Sequence, residues 1–340
     1  MQTIRDVAKK AHVSTATVSR VLNNTKAVSP ELRQRVAEAV LSIGYRPNAV
    51  ARSLVTKKSR TIGIIIPDIS NPIFGALTKG INAVCQRSGY ALMVCESGGE
   101  CQREFELLDV LSSKNIDGLL FAGVDISEDL VVRMKKENYP VVLVTQEAPG
   151  KKELLPTVAH DNIQAVYDAV SFLIDNGHRN IALIAGKKCD YSSGQKRIIG
   201  YKKALIDHGI QLVDSYIEYG DFTFDSGYRC MKKIYEENDI LPSAIMVCSD
   251  LMAMGAIRYL STTNTLVPND ISVMGFDDLD MSQFFTPSLT TVRISYFDEG
   301  KKAAEELFQV MQEEHPTESK TFYIPHKIIR RNSVKCFEKR

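Results

Sequence analysis

The sequence has no tryptophan, no closely spaced cysteine pair and no long apolar run. Spanning a bilayer takes about 20 consecutive apolar residues, so no transmembrane helix is expected and no membrane partner. Residues 1–20 carry charge throughout and lack the apolar stretch of a secretory signal, which points to a cytoplasmic protein. Cys85, Cys95, Cys101, Cys189, Cys230, Cys248 and Cys336 are scattered, with no C-x-x-C among them. In that compartment they read as reduced and mostly structural thiols. The six histidines are dispersed too, so neither a zinc site nor any other metal or cofactor is expected. G-x-S-x-G, H-E-x-x-H and a Walker phosphate loop are all missing, and the adjacent acids Asp277-Asp278 cannot face each other across a cleft. The chain is therefore not expected to be an enzyme.

What is present begins at residue 3, with TIRDVAKKAHVSTATVSRVLN. Ile4, Val7 and Ala8 recur at helical spacing, so a first helix is predicted from Ile4 to Lys10. Ala11-His12-Val13 breaks the pattern as a tight turn. Ser14 is a suitable N-cap for a second helix over Thr15–Leu22, with Val18, Val21 and Leu22 turned inward. That leaves Ser14, Thr15, Ala16, Thr17, Ser19, Arg20 and Asn23, a short, polar set with a single charge. Short side chains let a helix sit deep in the DNA major groove, where its N-terminal residues meet base edges. Spacing alone fits a solvated helical hairpin equally well. Charge separates the two readings. Residues 1–60 hold twelve Lys and Arg against three acids, a balance of +9, while the whole chain is +1, which leaves −8 for the remainder. A basic head on an acidic body suits attraction to phosphates. A membrane-surface helix would need a large apolar face, which this stretch lacks.

A third helix should start at Ser29-Pro30-Glu31, follow the stripe Leu32, Val36, Ala39, Val40, Ile43, and end at Gly44. It completes a three-helix head, and Arg33 and Arg35 are candidates for phosphate contact. Tyr45-Arg46-Pro47-Asn48 breaks the pattern, and Asn48 can cap a short helix over 49–55 or open a plain linker. From Thr61 the texture changes. IGIII (62–66), ALMVC (91–95), DGLLFAG (117–123) and PVVLVT (140–145) alternate with helical stretches, the rhythm of a doubly wound parallel sheet. After TVAHDN (157–162) the rhythm restarts with NIALIAG (180–186), AIMVCSD (244–250) and ISVMGFDD (271–278), so a second lobe is expected. SLTTVRIS (288–295) does not fit as the second lobe's last strand, because a helix over 297–311 and TFYIP (321–325) still follow.

VSTATVSRVLN and the following SPELRQRVAEAVLSIGYRPNAVARSL resemble the head of the lac/galactose repressor family of bacterial transcription regulators. The resemblance continues through nearly the whole chain. It implies an all-α helix-turn-helix head over 1–46, a hinge helix and linker over 47–60, and an α/β two-lobed periplasmic-binding-protein-like body over 61–340. The lobes would take about 61–160 with 292–322, and 162–289 with 324–340. Crossings would fall near His160–Asn162, Thr290–Val292 and Tyr323–Pro325. In the hinge, Leu54 matches an apolar wedge into the minor groove. The partners implied are double-stranded DNA as a pseudo-palindromic operator, a second copy of the chain, and a small effector between the lobes. The C-terminal IIRRNSVKCFEKR lacks the heptads of the family's tetramers, so a dimer is expected.

Carried over position by position, the effector residues are Phe74 as an apolar wall, Arg197 as a fork for ligand oxygens, Phe222 as a stacking aromatic, and Asp277 as an acceptor for hydroxyls. On residues alone, Phe74 reads as core and Arg197 as a surface helix residue. Asp278 reads as structural. Ser249 departs from the usual Asn, which argues against a simple hexose and opens the way to a nucleoside or pentose. The effector expected is thus a nucleoside or sugar. Two alternatives stand beside this reading: a transport binding module, disfavoured by the head, and a family regulator with a vestigial cleft controlled by a protein partner such as a phosphocarrier.

Overall fold

In the computed structural model, residues 2–23, 28–45, 58–150, 155–312 and 320–336 are described, with the side chain of Asn23 left out. The chain forms two compact units, Met1–Arg60 and Thr61–Arg340. The hinge segment 49–55 expected from the sequence, with Leu54, lies outside the described residues.

The first unit holds α1 (Ile4–Ala11), α2 (Thr15–Asn23) and α3 (Pro30–Ile43). Thr3 and Asp6 form a reciprocal capping box at the start of α1, and His12 closes that helix in the left-handed region at φ 51°. Ser29 caps α3, Pro30 opens it, and Gly44 ends it at φ 62°. Val7, Ala8, Ala11, Val18, Val36 and Ala39 make the core. Arg35 donates to the carbonyls of Ala11 (2.7 Å) and His12 (3.4 Å), tying α3 to the α1–α2 turn. One terminal nitrogen of Arg35 thus satisfies carbonyls left orphaned at the end of α1, an inward role that its sequence context did not show.

The second unit contains two six-stranded sheets built alike. The first lobe has β1 (Thr61–Ile66), α4 (Pro72–Arg87), β2 (Ala91–Glu96), α5 (Cys101–Ser113), β3 (Gly118–Phe121), α6 (Glu128–Lys135), β4 (Val141–Val144) and β5 (Thr157–His160). The second has α7 (Asn162–Asp175), β6 (Ile181–Ala185), a π-helical turn (Tyr191–Lys196), α8 (Arg197–Asp207), β7 (Ile217–Tyr219), α9 (Phe224–Glu236), β8 (Ala244–Val247), α10 (Asp250–Thr262), β9 (Ser272–Asp277) and β10 (Thr290–Ile294). Then α11 (Tyr296–Val310) and β11 (Thr321–Ile324) return to the first lobe, and β12 (His326–Ile329) goes back to the second. Strand orders are β11-β5-β4-β3-β1-β2 and β12-β10-β9-β8-β6-β7. All pairings are parallel except β10 with β12.

The chain thus passes between lobes after β5, after β10 and after β11. The second passage differs from the expected Thr290–Val292. β10 pairs with β9 up to Arg293 and with β12 up to Ile294, with Thr290, Thr291 and Val292 fully buried, so the whole strand belongs to the second lobe and the passage falls at Ser295. A strand fully paired on both sides cannot leave its sheet midway without orphaning backbone groups. Two short elements, β7 and β12, escaped the sequence pattern altogether. Among the described residues no helix is long and apolar enough to cross a membrane. Cys85, Cys230 and Cys248 are buried while Cys101, Cys189 and Cys336 are exposed, so fewer cysteines are core residues than the sequence implied.

Helices α4 and α11 cross in close contact on the first lobe. A Cβ on Gly80 would lie 2.0 Å from the Phe297 carbonyl oxygen, and one on Gly300 would lie 2.2 Å from that of Leu77. Backbone cannot yield as a flexible side chain does. Gly300→Ala is therefore expected to cost about 1–3 kcal/mol in urea denaturation. Gly75→Ala on the facing helix α4, where a Cβ meets nothing within 4 Å, should instead gain ~0.5–1 kcal/mol.

Candidate functional site

In the head, Ser14 accepts from the Thr17 backbone N–H at 3.1 Å and shares a hydrogen bond with the Thr17 hydroxyl at 3.0 Å. These two residues shape the start of α2. Thr15, Ala16 and Arg20 are exposed beside them, and Ser14 itself remains exposed; Thr17 and Ser19 are half-buried. Asn23 ends the helix. The structure therefore presents a short polar helix face whose one cation is Arg20.

In the body, Phe74, Arg197, Phe222, Ser249 and Asp277 all line one cavity of about 290 Å³ between the lobes. Asp277 ends β9, Ser249 follows β8, Phe222 follows β7, and Phe74 sits in the first turn of the helix after β1. These positions are the carboxyl edges of parallel sheets, where the chain turns from strand to helix and leaves a crevice. The Phe222 ring packs where a side chain at residue 186 would be: a Cβ on Gly186 would stand 2.2 Å from its Cζ. Phe74 is 7% exposed, so it is a core residue on one side and cavity wall on the other.

Arg197 is not the surface helix residue that composition allowed; it is 3% exposed. Its Nε donates to Asn162 Oδ1 at 2.7 Å and one terminal nitrogen to the Cys248 carbonyl at 2.7 Å. The other terminal nitrogen lies 3.3 Å from His160 Nε2. The guanidinium also stacks on Phe276, 3.7 Å from the ring centroid. A buried cation needs such a set of partners to offset its lost hydration.

Asp277 Oδ1 accepts from the Tyr296 hydroxyl at 2.6 Å, joining the end of β9 to α11 of the other lobe. Behind it, fully buried Asp250 accepts from the Leu279 N–H (2.8 Å) and from the hydroxyls of Ser282 and Thr291 (2.6 Å each). Burial pushes both carboxyls up from the ordinary range, and the charge of Asp277 adds to the effect on Asp250; Arg197 acts in the opposite sense on Asp277. A Cβ on Gly275 would lie 2.2 Å from Asp250 Oδ1, so glycine makes room for this acid. Asp278 pairs with Arg293 (2.5 Å) and Arg331 (2.6 Å), both in the second lobe, as a structural acid would. The Ser249 hydroxyl accepts from the Met252 N–H at 3.2 Å and so caps α10 while lining the cavity.

Sequence reasoning passed over Gln146, His160, Asp190 and Tyr296, which line the same cavity. Asp190 caps the π-helical turn through the Ser193 N–H at 2.6 Å. Nearby, the Glu147 N–H donates to Ser192 at 2.9 Å, Lys196 pairs with Glu147, and Tyr323 donates to Glu147 at 2.7 Å. These contacts close one edge of the cleft. Asp190 acts locally, as a cap; His160 and Tyr296 carried no motif because their contacts join distant segments. Among the described residues no group of three or more His, Cys, Asp or Glu is placed to hold a metal ion.

A three-helix head with a short polar helix face, followed in the chain by a body with a polar cleft between two sheets, is the architecture of a DNA-binding regulator joined to a binding-protein-like body. Residues 3–48 match the model of bacterial regulatory proteins, lacI family, and residues 170–334 match that of the periplasmic binding protein-like domain. Catabolite control protein A of Priestia megaterium is 40% identical, covering 98% of this chain and 99% of that protein. The HTH-type transcriptional repressor CytR of Escherichia coli is 37% identical over 92% of this chain and 91% of its own. The solved lac repressor dimer bound to operator and the anti-inducer ONPF aligns with TM-score 0.87 at 27% identity, covering 98% and 99% of the two chains. The chain belongs to the lacI family of bacterial regulatory proteins. It is a DNA-binding transcriptional regulator, and that family is made of regulators rather than enzymes.

One buried acid lies just below the cleft. Glu104 on α5 is 1% exposed, and burial raises its carboxyl to about 7, with help from Asp125; hydrogen bonds from Val124 and Ser97 act against it. Val124 and the Gly98–Gly99 turn after Ser97 line the cavity. Because the folded value exceeds the ordinary 4.5, the protonated form stabilises the fold. That contribution is complete below about pH 4.5 and disappears as pH rises through about 7. Glu104→Gln should remove this slope and make the protein about 3 kcal/mol less sensitive to the change, read by urea denaturation across the window.

Proposed function

We propose that this regulator is a homodimeric repressor that works on the nucleoid in the cytoplasm and whose hold on a pseudo-palindromic operator is set by a nucleoside or sugar bound in the interlobe cavity. The observation that carries the effector reading is the cavity itself. Phe74 and Phe222 offer apolar faces for a flat ring, and Arg197 and Asp277 offer a donor and an acceptor at its base. A polyhydroxylated ring needs that pairing of stacking surface and charged hydrogen-bond partners. Ser249, already spent as a helix cap, has less reach than an amide would, which favours a pentose-bearing ligand over a hexose.

DNA binding would use the exposed face of α2, with Thr15, Ala16 and Arg20 toward base edges and the +9 of residues 1–60 toward phosphates. The dimer would cover exposed apolar groups of the body. Met281 and Phe297 are 47% and 43% exposed and line a second depression beside Pro72, Ile73 and Ala76; Phe284, nearby in the chain, is 80% exposed. A ligand that fits one lobe arrangement better than another would shift the population of that arrangement and with it the spacing of the two heads.

The test is a dye-based thermal-shift screen of the full chain against nucleosides, pentoses, hexoses and purine bases. A nucleoside or pentose should raise the melting temperature, because it binds the folded form, and Arg197→Ala and Asp277→Ala should each abolish the shift. A blank across all classes would overturn the effector reading in favour of control by a protein partner. In parallel, binding to a pseudo-palindromic site should weaken steeply with salt and exceed binding to random DNA. Loss of that preference would sink the operator reading, and light scattering at any mass other than that of a dimer would sink the assembly.

A further inference from the structure

Two ionisable side chains, His160 and Glu299, meet at the lobe junction beside Arg197. His160 is the last residue of β5, at the first passage between lobes; Glu299 lies in the first turn of α11, just past the second. His160 is 1% exposed and Glu299 is fully buried. Nδ1 of His160 stands 3.4 Å from Glu299 Oε2, and Nε2 stands 3.3 Å from a terminal nitrogen of Arg197. A guanidinium only donates. Nε2 must therefore accept, and the one proton of a neutral imidazole sits on Nδ1, where it is donated to Glu299. The line Glu299–His160–Arg197 fixes a tautomer and runs from the first lobe into the second.

Glu299 Oε1 has no hydrogen-bond partner among the described residues. A carboxylate buried with one partner is a poor packing choice, since an apolar side chain of like volume would serve better. Its consequence lies at the far end of the ring. Arg197 is held on three sides, by Asn162, the Cys248 carbonyl and His160, with Phe276 against its face. Of these four, His160 alone belongs to the other lobe's sheet.

We propose that His160 and Glu299 are positioning residues for the cleft arginine, and that they act only while His160 is neutral. A second proton would put an imidazolium N–H against the guanidinium, and the contact that aligns Arg197 across the lobes would be lost. Arg197 is thereby aligned through a pair of which His160 alone reaches the cavity wall. The charged and titratable groups facing the imidazole are Glu299 and Tyr296 from α11, Arg197 from α8 and Asp277 from the end of β9. The Tyr296 hydroxyl is committed to Asp277.

The experiment labels the six histidines of the full chain with nitrogen-15 and reads long-range proton–nitrogen correlations, with His160→Gln locating the resonance. At neutral pH the ring should carry its proton on Nδ1 alone. Glu299→Gln, whose amide oxygen still accepts, should keep that tautomer fixed; Glu299→Leu, which leaves the Nδ1–H without its acceptor, should free the ring and show both tautomers. An Nε2–H tautomer or an imidazolium in the unaltered protein at neutral pH overturns the proposal, whatever the ligand. A second arm measures binding of cytidine and ribose by calorimetry and rests on the effector reading of the cleft. Glu299→Leu should weaken binding by on the order of tenfold, as loss of an outer partner does, while Glu299→Gln stays near the unaltered protein. Equal losses in both mean damage to the fold and overturn the positioning role. If neither probe binds the unaltered protein, the effector reading suffers, and the tautomer arm still judges the pair.

Discussion

A single buried cation holds the body together at the point where its lobes meet. Arg197 has lost its water, and everything around it answers that loss: an amide oxygen, a main-chain carbonyl, an imidazole nitrogen and an aromatic face. Those partners come from α7, the end of β8, the end of β5 and β9. Satisfying one guanidinium thus fixes the relative placement of four elements from two sheets. The cleft has its shape because the charge cannot be left alone. Acids complete the arrangement, with Asp277 bridging to α11 through Tyr296, and Asp250 bracing the loop after β9 from behind.

Much of this was legible in the residues, for reasons that differ by region. The head could be read because its signals are local: Thr3 with Asp6, Ser14 before α2, Ser29-Pro30 before α3, and Gly44 after it all act within a turn of where they stand. The strands β1, β3, β4, β6, β8 and β9 could be read because strands covered on both faces are nearly continuous apolar runs. β7 and β12 could not, being three and four residues at sheet margins with mixed burial. The end of β10 was misjudged because a chain leaving a sheet carries no composition mark; only the pairing of Arg293 and Ile294 with β12 and of Arg293 with β9 places it.

The cleft shows the same divide. Arg197 and Asp277 could be singled out because each sits in a recognisable run of residues, and both are buried and linked to the opposite lobe. His160, Gln146 and Tyr296 were passed over because each looks ordinary in its own segment. A histidine after a short strand or a tyrosine opening a helix becomes a cleft residue only when a segment more than a hundred positions away folds against it. Charge works at the other extreme of scale. The division into +9 and −8 needed no structure at all, since long-range attraction to a polyanion depends on sums rather than on contacts.

The three passages between lobes have a consequence for how the chain is made. Each sheet receives its last strand late in the sequence: β11 at Thr321–Ile324 completes the first and β12 at His326–Ile329 the second. The head, by contrast, is built from the first 45 residues and has its own core. During synthesis from the N-terminus, the basic head can therefore fold while the body still lacks an edge on both sheets. Neither lobe can finish ahead of the other, because they are closed by consecutive strands a single proline apart. The ribosome thus delivers the part that meets DNA well before the two-lobed body, and the body is then completed in one step.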